Sequence, residues 1–301
     1  MGAAKVPSVF FGGGTPSLMP VKNFDKIINY LNRHFSIENN AEITLESNPG
    51  TIDMNKMKDF QSAGVNRLSV GVQSLNDEKL KYLGRRHSAH DAIQAIKDAQ
   101  KLNLRVSGDF IYGLPGETAK TIKQICNEIN KLGLQHCSLY ELTIEDGTPL
   151  AKSGPIMPCN DTMAQMYTTI QETLALPRYE VSNYATDGNE CRHNQNVWDG
   201  GAYIGIGKGA AGRVHIDNTW YEQRGGGILF EQMTDTDRAV EKIITGLRTM
   251  RGVRLTDDVK NAINMDTVKG MQGLVQINND RLCATDAGIL VLDDIVVKIV
   301  R

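Results

Sequence analysis

The feature that most constrains the fold is a serial alternation of short apolar runs and helical stretches through the first half of the chain. Strand-like runs lie at Ser8–Phe11, Glu42–Leu45, Arg67–Gly71, Arg105–Tyr112 and Cys137–Leu142. Helical periodicity fills the gaps, at Val21–His34, Asn55–Ala63, Ala89–Leu102 and Thr118–Leu132. Strand, helix, strand at this spacing is the pattern of right-handed βα units feeding a parallel sheet. Five such units in 301 residues predict an α/β fold, either a barrel or a doubly wound sheet.

The strand ends narrow this further. They read Gly12-Gly13-Gly14-Thr15-Pro16-Ser17, Glu46-Ser47-Asn48-Pro49, Gly71-Val72-Gln73-Ser74, Asp109 followed by Tyr112-Gly113-Leu114-Pro115-Gly116, and Tyr140-Glu141. Any single ending of this kind is ordinary turn chemistry. Five in series would converge at the C-terminal face of a barrel, where such folds build small-molecule sites.

The second half has a different texture. Arg178–Ala185 reads as one more strand, and a polar, Gly-rich stretch runs from Asp187 to Gly212. Helical periodicity returns near residue 236. The tail carries a β pair, Val275–Ile277 and Arg281–Ala284, around the turn Asn278-Asn279-Asp280, with a helix expected over Thr285–Val300. This module looks like a winged helix. The expected organisation is a partial barrel over 1–185, a Gly-rich segment over 186–235 and a C-terminal helical domain over 236–301.

Charge excludes one use of such a module. With 33 Lys and Arg against 35 Asp and Glu, the net charge is -2, so no nucleic-acid partner is inferred. The 5 cysteines, at 126, 137, 159, 191 and 283, are too scattered for a disulfide framework, and each is read as a small buried thiol. The N-terminus lacks the apolar core of a signal sequence, so a cytoplasmic location is expected.

Ten blocks carry a resemblance. They are SVFFGGGTPSLMP at 8–20, ITLESNPGTID at 43–53, GVNRLSVGVQSLND at 64–77, LGRRHS at 83–88 and DFIYGLPGET at 109–118. SLYELTIEDGTPL at 138–150, YEVSNYA at 179–185, CRHNQNVW at 191–198, YIGIGKGAAGR at 203–213 and GLRTMRGV at 246–253 follow in order. The chain resembles the radical S-adenosylmethionine (SAM) enzymes of the coproporphyrinogen III oxidase group, and within it the HemW-type haem chaperones. The resemblance implies an incomplete (β/α)6 TIM-like barrel with its first βα unit missing, followed by a small winged-helix-like domain. It implies that Gly13, Gly14, Thr15, Glu46, Gln73, Arg85 and Asp109 contact SAM. Glycine in that turn lets backbone approach the ligand where a Cβ would block it. A sulfonium cation bearing ammonium, carboxylate and ribose groups suits such a mixed donor and acceptor set.

The sequence also departs from the family. Radical SAM enzymes hold a [4Fe-4S] cluster on C-x-x-x-C-x-x-C, and this chain contains no such motif. Two readings follow: a chain that starts downstream of the motif, or a clusterless descendant. Because the SAM-contacting positions are intact, the first is expected. Val197 stands where the family has Tyr before Trp198, and Ala211 stands where it commonly has His. Alanine cannot ligate haem iron, so His193 becomes the candidate axial ligand, with Cys191 as a soft alternative and His215 behind both. His34, His87, His90 and His136 are not expected to ligate haem.

The resemblance implies a HemW-like chaperone that binds haem and passes it to an acceptor protein, with a membrane-associated respiratory protein as the candidate kind. SAM and a cluster belong to the complete family form. The alternatives are an oxygen-independent coproporphyrinogen III oxidase, which would release CO2 from propionate side chains, and a clusterless SAM- or haem-binding remnant.

Overall fold

In the computed structural model, which describes residues 5–301, the chain divides into two units. The first comprises residues up to Arg178 plus Ser182–Glu190. Its elements follow in order: β1 (Lys5–Phe11), α1 (Val21–His34), β2 (Ser36–Ser47), α2 (Met54–Ser62), β3 (Arg67–Gln73), α3 (Asp77–Tyr82), α4 (Ala89–Lys101) and β4 (Arg105–Tyr112). Then come α5 (Ala119–Lys131), β5 (His136–Glu141), α6 (Pro149–Lys152), α7 (Asn160–Thr173) and β6 (Asn183–Ala185). The six strands lie in sequence order in one sheet. β1 to β5 are parallel, and β6 runs antiparallel to β5. The result is a curled half-barrel, the barrel alternative of the two that serial βα units leave open and the one that the family resemblance implies.

A parallel sheet covered on both faces is apolar on both. This one is not. Ile43, Leu45, Leu68, Val70, Val72, Val106, Phe110, Cys137 and Leu139 are buried on one face. They share the interior with Phe24 and Ile28 of α1, Met57 and Phe60 of α2, Ala95, Ile96 and Ala99 of α4, and Ile122 and Ile129 of α5. Helix starts are fixed locally. Asp53 caps α2 through the Lys56 amide, and Ser88 with Asp91 forms a capping box on α4. The alternate strand positions are polar. Parallel register aligns Thr44 with Arg67, Glu46 with Ser69, Ser69 with Ser107, Ser107 with His136, and Asp109 with Ser138. The inner face of the half-barrel is therefore a polar surface rather than a second core.

The second unit comprises Tyr179–Val181 and Cys191–Arg301. It contains α8 (Arg192–Trp198), a three-stranded meander of β7 (Gly212–Ile216), β8 (Thr219–Arg224) and β9 (Leu229–Gln232), and α9 (Asp235–Gly246). Its last part holds β10 (Val253–Arg254), α10 (Asp257–Ala262), α11 (Met265–Gly270), β11 (Val275–Asn278), β12 (Arg281–Ala284), α12 (Asp286–Ile289) and α13 (Leu292–Ile299). β12 lies between β10 and β11, and β11 and β12 form the expected hairpin.

Three local expectations are corrected. The run 178–185 is not one strand, because only Asn183–Ala185 joins the barrel sheet. Tyr179–Val181 pairs instead with 248–250: the Val181 amide donates to the Arg248 carbonyl and the Met250 amide to the Tyr179 carbonyl. Glu180 is fully buried there and accepts from Arg248 Nε and Nη2 at 3.1 and 2.7 Å. The helix expected over 285–300 is broken. Val291 leaves the helical region at φ -130°, and Gly288 packs where a Cβ would stand 1.9 Å from the Leu274 carbonyl oxygen. Finally, Cys159 is exposed rather than buried, at the start of α7, where its Sγ lies 3.2 Å from Thr162 Oγ1.

Candidate functional site

The turn after β1 is built on backbone only glycine adopts readily. Gly13 and Gly14 have φ of +76° and +62°, and a Cβ on either would meet open space. The Gly13 amide donates to Glu46 Oε2, at the end of β2, at 3.1 Å. A Cβ on Gly12 would stand 3.2 Å from the same oxygen and 3.0 Å from the Phe10 ring, so either side chain would have to give slightly. Thr15 Oγ1 accepts from Asn48 Nδ2 at 3.3 Å. The first two strand ends are thus tied together through Glu46 and Asn48.

The third strand end is bent. β3 pairs regularly with β4 up to Val70 and then shifts register before Gln73, which has φ +64°. Left-handed backbone in a non-glycine residue at a strand end marks a position held against its own preference. Gly71 makes this possible: a Cβ there would lie 2.9 Å from Asn48 Oδ1 and 3.1 Å from Gln73 Nε2. The Asn48 and Gln73 amides therefore crowd over one bare Cα.

Asp109, on β4, faces the same polar surface. Its Oδ2 accepts from Ser69 Oγ at 2.7 Å and its Oδ1 from Ser107 Oγ at 3.1 Å. Burial holds its carboxyl above the ordinary range, against the opposing pull of the Ser69 hydroxyl, Arg67 and the hydroxyls of Ser138 and Ser107. Glu46 is also raised, by burial first; the Gly13 amide opposes that and the nearby Asp109 charge adds to it. Two carboxyl groups raised chiefly by burial on one polar surface, with Asp109 also raising Glu46, form a natural receptor for a cation.

The structure thus gathers Gly13, Gly14, Thr15, Glu46, Gln73 and Asp109 at or just inside the strand ends of the first unit. Arg85 lies apart from them in character. It sits in the exposed segment between α3 and α4, and its amide donates to the Leu80 carbonyl at 2.8 Å. Sequence reasoning passed over Asn48, Ser69, Ser107, Ser138 and Glu117. The first four were visible as polar residues at alternate positions of parallel strands, or one step beyond one, where apolar residues are the rule. Glu117 was legible only as part of a block. It is buried, accepts from the Gly113 and Leu114 amides at 2.8 and 3.0 Å, and pairs with Lys79 of α3. It locks the loop after β4 to the segment after β3.

In the second unit, His193 lies on α8, half-buried, with its ring edge-on to Tyr203 at 6.3 Å. Cys191 is buried before α8, and its amide donates to the Tyr179 hydroxyl at 3.2 Å. His215 is exposed on β7 and stacks on Trp220 at 4.8 Å.

The donor set of the first unit fits SAM: open glycine backbone, two carboxylates with protons to accept and charge to neutralise, and an amide held at a strained bend. It does not fit an iron–sulfur cluster. Among the described residues, no group of three His, Cys, Asp or Glu is placed to hold a metal ion. What these side chains can do by themselves is bind, orient and neutralise a charged ligand.

A half-barrel of parallel strands with a glycine-rich turn after its first strand and a polar interior defines a radical SAM type of scaffold. The profile of the Radical SAM superfamily matches residues 1–129. The chain is 40% identical over 243 residues to radical S-adenosyl methionine domain-containing protein 1, mitochondrial, of Danio rerio, an alignment covering 77% of this chain and 53% of that protein. It is 39% identical over 214 residues to the heme chaperone HemW of Escherichia coli, covering 70% of this chain and 57% of that one. With the heme chaperone HemW of Lactococcus lactis subsp. lactis it shares 30% identity over 306 aligned positions, covering 94% and 79% of the two chains. Among solved structures it resembles coproporphyrinogen III oxidase (HemN) of Escherichia coli, with a TM-score of 0.77, 16% identity, and coverage of 97% of this chain and 77% of that one; that likeness concerns the fold. The chain belongs to the radical SAM superfamily, in its HemW-type group. It spans a little over half the length of the first two relatives, 53% and 57%.

Proposed function

We propose that this chain is the SAM-binding and haem-handling part of a HemW-like haem chaperone acting in the cytoplasm. The observation that carries the SAM reading is the pair of carboxylates, Glu46 held on the Gly13 amide and Asp109 held on Ser69 and Ser107. Bound SAM would supply a sulfonium cation with an adenosyl and an amino-acid arm. Glu46 and Asp109 would neutralise its positive groups. The bare Gly13–Gly14 backbone and Thr15 would admit the amino-acid end, Gln73 would offer one donor and one acceptor, and Arg85 would close the set as a cation towards its carboxylate or ribose oxygens.

Haem is the cargo in this reading, with His193 as its iron ligand and a separate acceptor protein as its destination. The HemW relatives support it, as does the half-buried place of His193 on α8 beside an aromatic ring. Haem titration followed by visible absorbance tests it. The chain is expected to give a ligand-bound spectrum that weakens at least about tenfold in affinity in His193→Ala. An unchanged spectrum in that variant would remove His193 from the proposal. Vinyl porphyrinogen formed from coproporphyrinogen III would replace the chaperone reading with the oxidase.

A further inference from the structure

β10 and β12 of the second unit set two arginines directly opposite one another. Arg254 pairs in register with Arg281, and Val253 with Leu282. Opposed residues of an antiparallel pair share a face. Val253 and Leu282 are buried on one face, and the two arginines stand together on the other. Like charges so placed cost stability unless an anion lies beside them.

The protein supplies only part of that anion. Arg254 Nε donates to Asp280 Oδ2 at 2.7 Å. Arg281 donates from Nη1 to the Gly252 carbonyl at 2.8 Å, and among the described residues it pairs with no carboxylate. A guanidinium offers five N–H donors in a planar fork, so most of this one stays unused.

Both arginines line a cleft of about 320 Å³, together with Trp198, Lys242, Gly246 and Gly252. Its other charges are matched one to one. Lys242 Nζ lies 3.0 Å from Asp258 Oδ2, and Asp199 takes Arg251 Nη2 at 2.8 Å. The surplus charge of the cleft therefore sits on Arg281. The walls are fixed by backbone. A Cβ on Gly246 would stand 2.8 Å from Val253 Cβ, and one on Gly252, at φ +68°, would stand 2.2 Å from the Leu282 carbonyl oxygen. Bare glycines let the end of α9 and the start of β10 close on one another and on β12, so the cations are held together before any ligand arrives.

We propose that this cleft binds the oxyanion of a small molecule, a carboxylate or a phosphate, in the fork of Arg281 with Arg254 and Lys242 beside it. Trp198 in the lining suits a planar body attached to that anion. Two sources supply this chemistry: the propionates of the haem cargo, or a phosphate compound. The propionate source rests on the haem reading; the cleft itself does not.

Inorganic phosphate titrated into the 301-residue chain at fixed ionic strength, followed on the arginine Nε–H signals by 1H–15N correlation, tests the cleft. Saturable shifts at Arg254 and Arg281 are expected, with affinity at least about tenfold weaker in Arg281→Gln. Arg254→Gln, which leaves the Gly252 contact in place, is expected to weaken binding as well. Haem titration separates the sources. Competition between haem and phosphate, with haem bound at least about tenfold more weakly by Arg281→Gln, would identify the propionates. Unchanged haem affinity in that variant, beside lost phosphate binding, would assign the cleft to a phosphate compound. Non-saturating phosphate shifts together with equal haem affinity in wild type and Arg281→Gln would overturn the cleft. Phosphate binding through Arg281 in a chain that takes up no haem would instead overturn the haem reading, so the two failures are distinct.

Discussion

Glu46 accepts a hydrogen bond from the backbone amide of Gly13, 33 residues earlier, at 3.1 Å. This contact joins the glycine-rich turn after β1 to the end of β2. It also sets the conflict at the site: the half-buried Glu46 carboxyl, raised first by burial, is raised further by a second carboxylate, Asp109.

That conflict has a measurable sign. Both carboxyls lie above their ordinary values of 4.5 and 3.8 in the folded chain. A raised carboxyl keeps its proton in the folded state after the unfolded chain has released it. Its contribution to stability is full below the ordinary value and is lost as pH rises through the folded one. Glu46→Gln and Asp109→Asn remove this loss. Near neutral pH each is expected to raise unfolding stability, by about 1 kcal/mol, while abolishing SAM binding. Urea melts beside a binding assay check it, and a variant that loses both stability and binding would contradict it.

His136 has the opposite sign. Burial first, then Arg67 and Arg105, hold the ring well below 6.5. Its contribution is present above about 6.5, the ordinary value, and is lost as pH falls through the folded one. Below that ordinary value the wild-type stability is expected to fall by up to about 1.4 kcal/mol per pH unit more steeply than that of His136→Gln. Urea midpoints at a series of mildly acid pH values measure the difference in slope.

Gly71 isolates geometry from chemistry. Gly71→Ala would set a Cβ 2.9 Å from Asn48 Oδ1 and 3.1 Å from Gln73 Nε2, so one amide must move. Both belong to side chains that can shift, so the stability cost is expected to stay near about 1 kcal/mol. SAM affinity is expected to fall at least about tenfold, because a displaced Gln73 no longer meets the ligand. Thermal unfolding and equilibrium dialysis on the same preparation read the two effects apart.

Glu117 should behave in the reverse manner. It touches no proposed ligand group, yet it satisfies two loop amides and Lys79. Glu117→Ala leaves those amides without their acceptor and is expected to cost about 2–3 kcal/mol. Protease nicking of 113–117 and of the segment carrying Arg85 should increase together. Nicking confined to 113–117 would show that the two loops are not coupled through this side chain.

Much of the barrel was legible because βα units announce themselves by period and spacing. β4 and α1 fall at their expected boundaries. Two of the three departures from expectation involve contacts distant in sequence. Tyr179–Val181 has strand-like composition but satisfies its backbone against 248–250, a pairing that local pattern cannot reveal. The C-terminal helix breaks at Val291, and Gly288 within α12 packs closely on the Leu274 carbonyl, a long-range contact that local pattern does not show. At the site, the strand-end residues were readable from motif blocks. The serines that hold Asp109 were readable only in principle, from polar residues at alternate positions of buried parallel strands. The left-handed backbone of Gln73 left no sequence mark at all, since glycine is the residue that normally signals it.

The most direct test of the site is isothermal titration of SAM into the 301-residue chain, beside Glu46→Gln and Asp109→Asn. Saturable one-to-one binding that both variants lose while their unfolding stability holds or rises is the expected result. Absence of SAM binding by the folded wild-type chain, or binding that survives both substitutions, would contradict the assignment of this carboxylate pair to SAM.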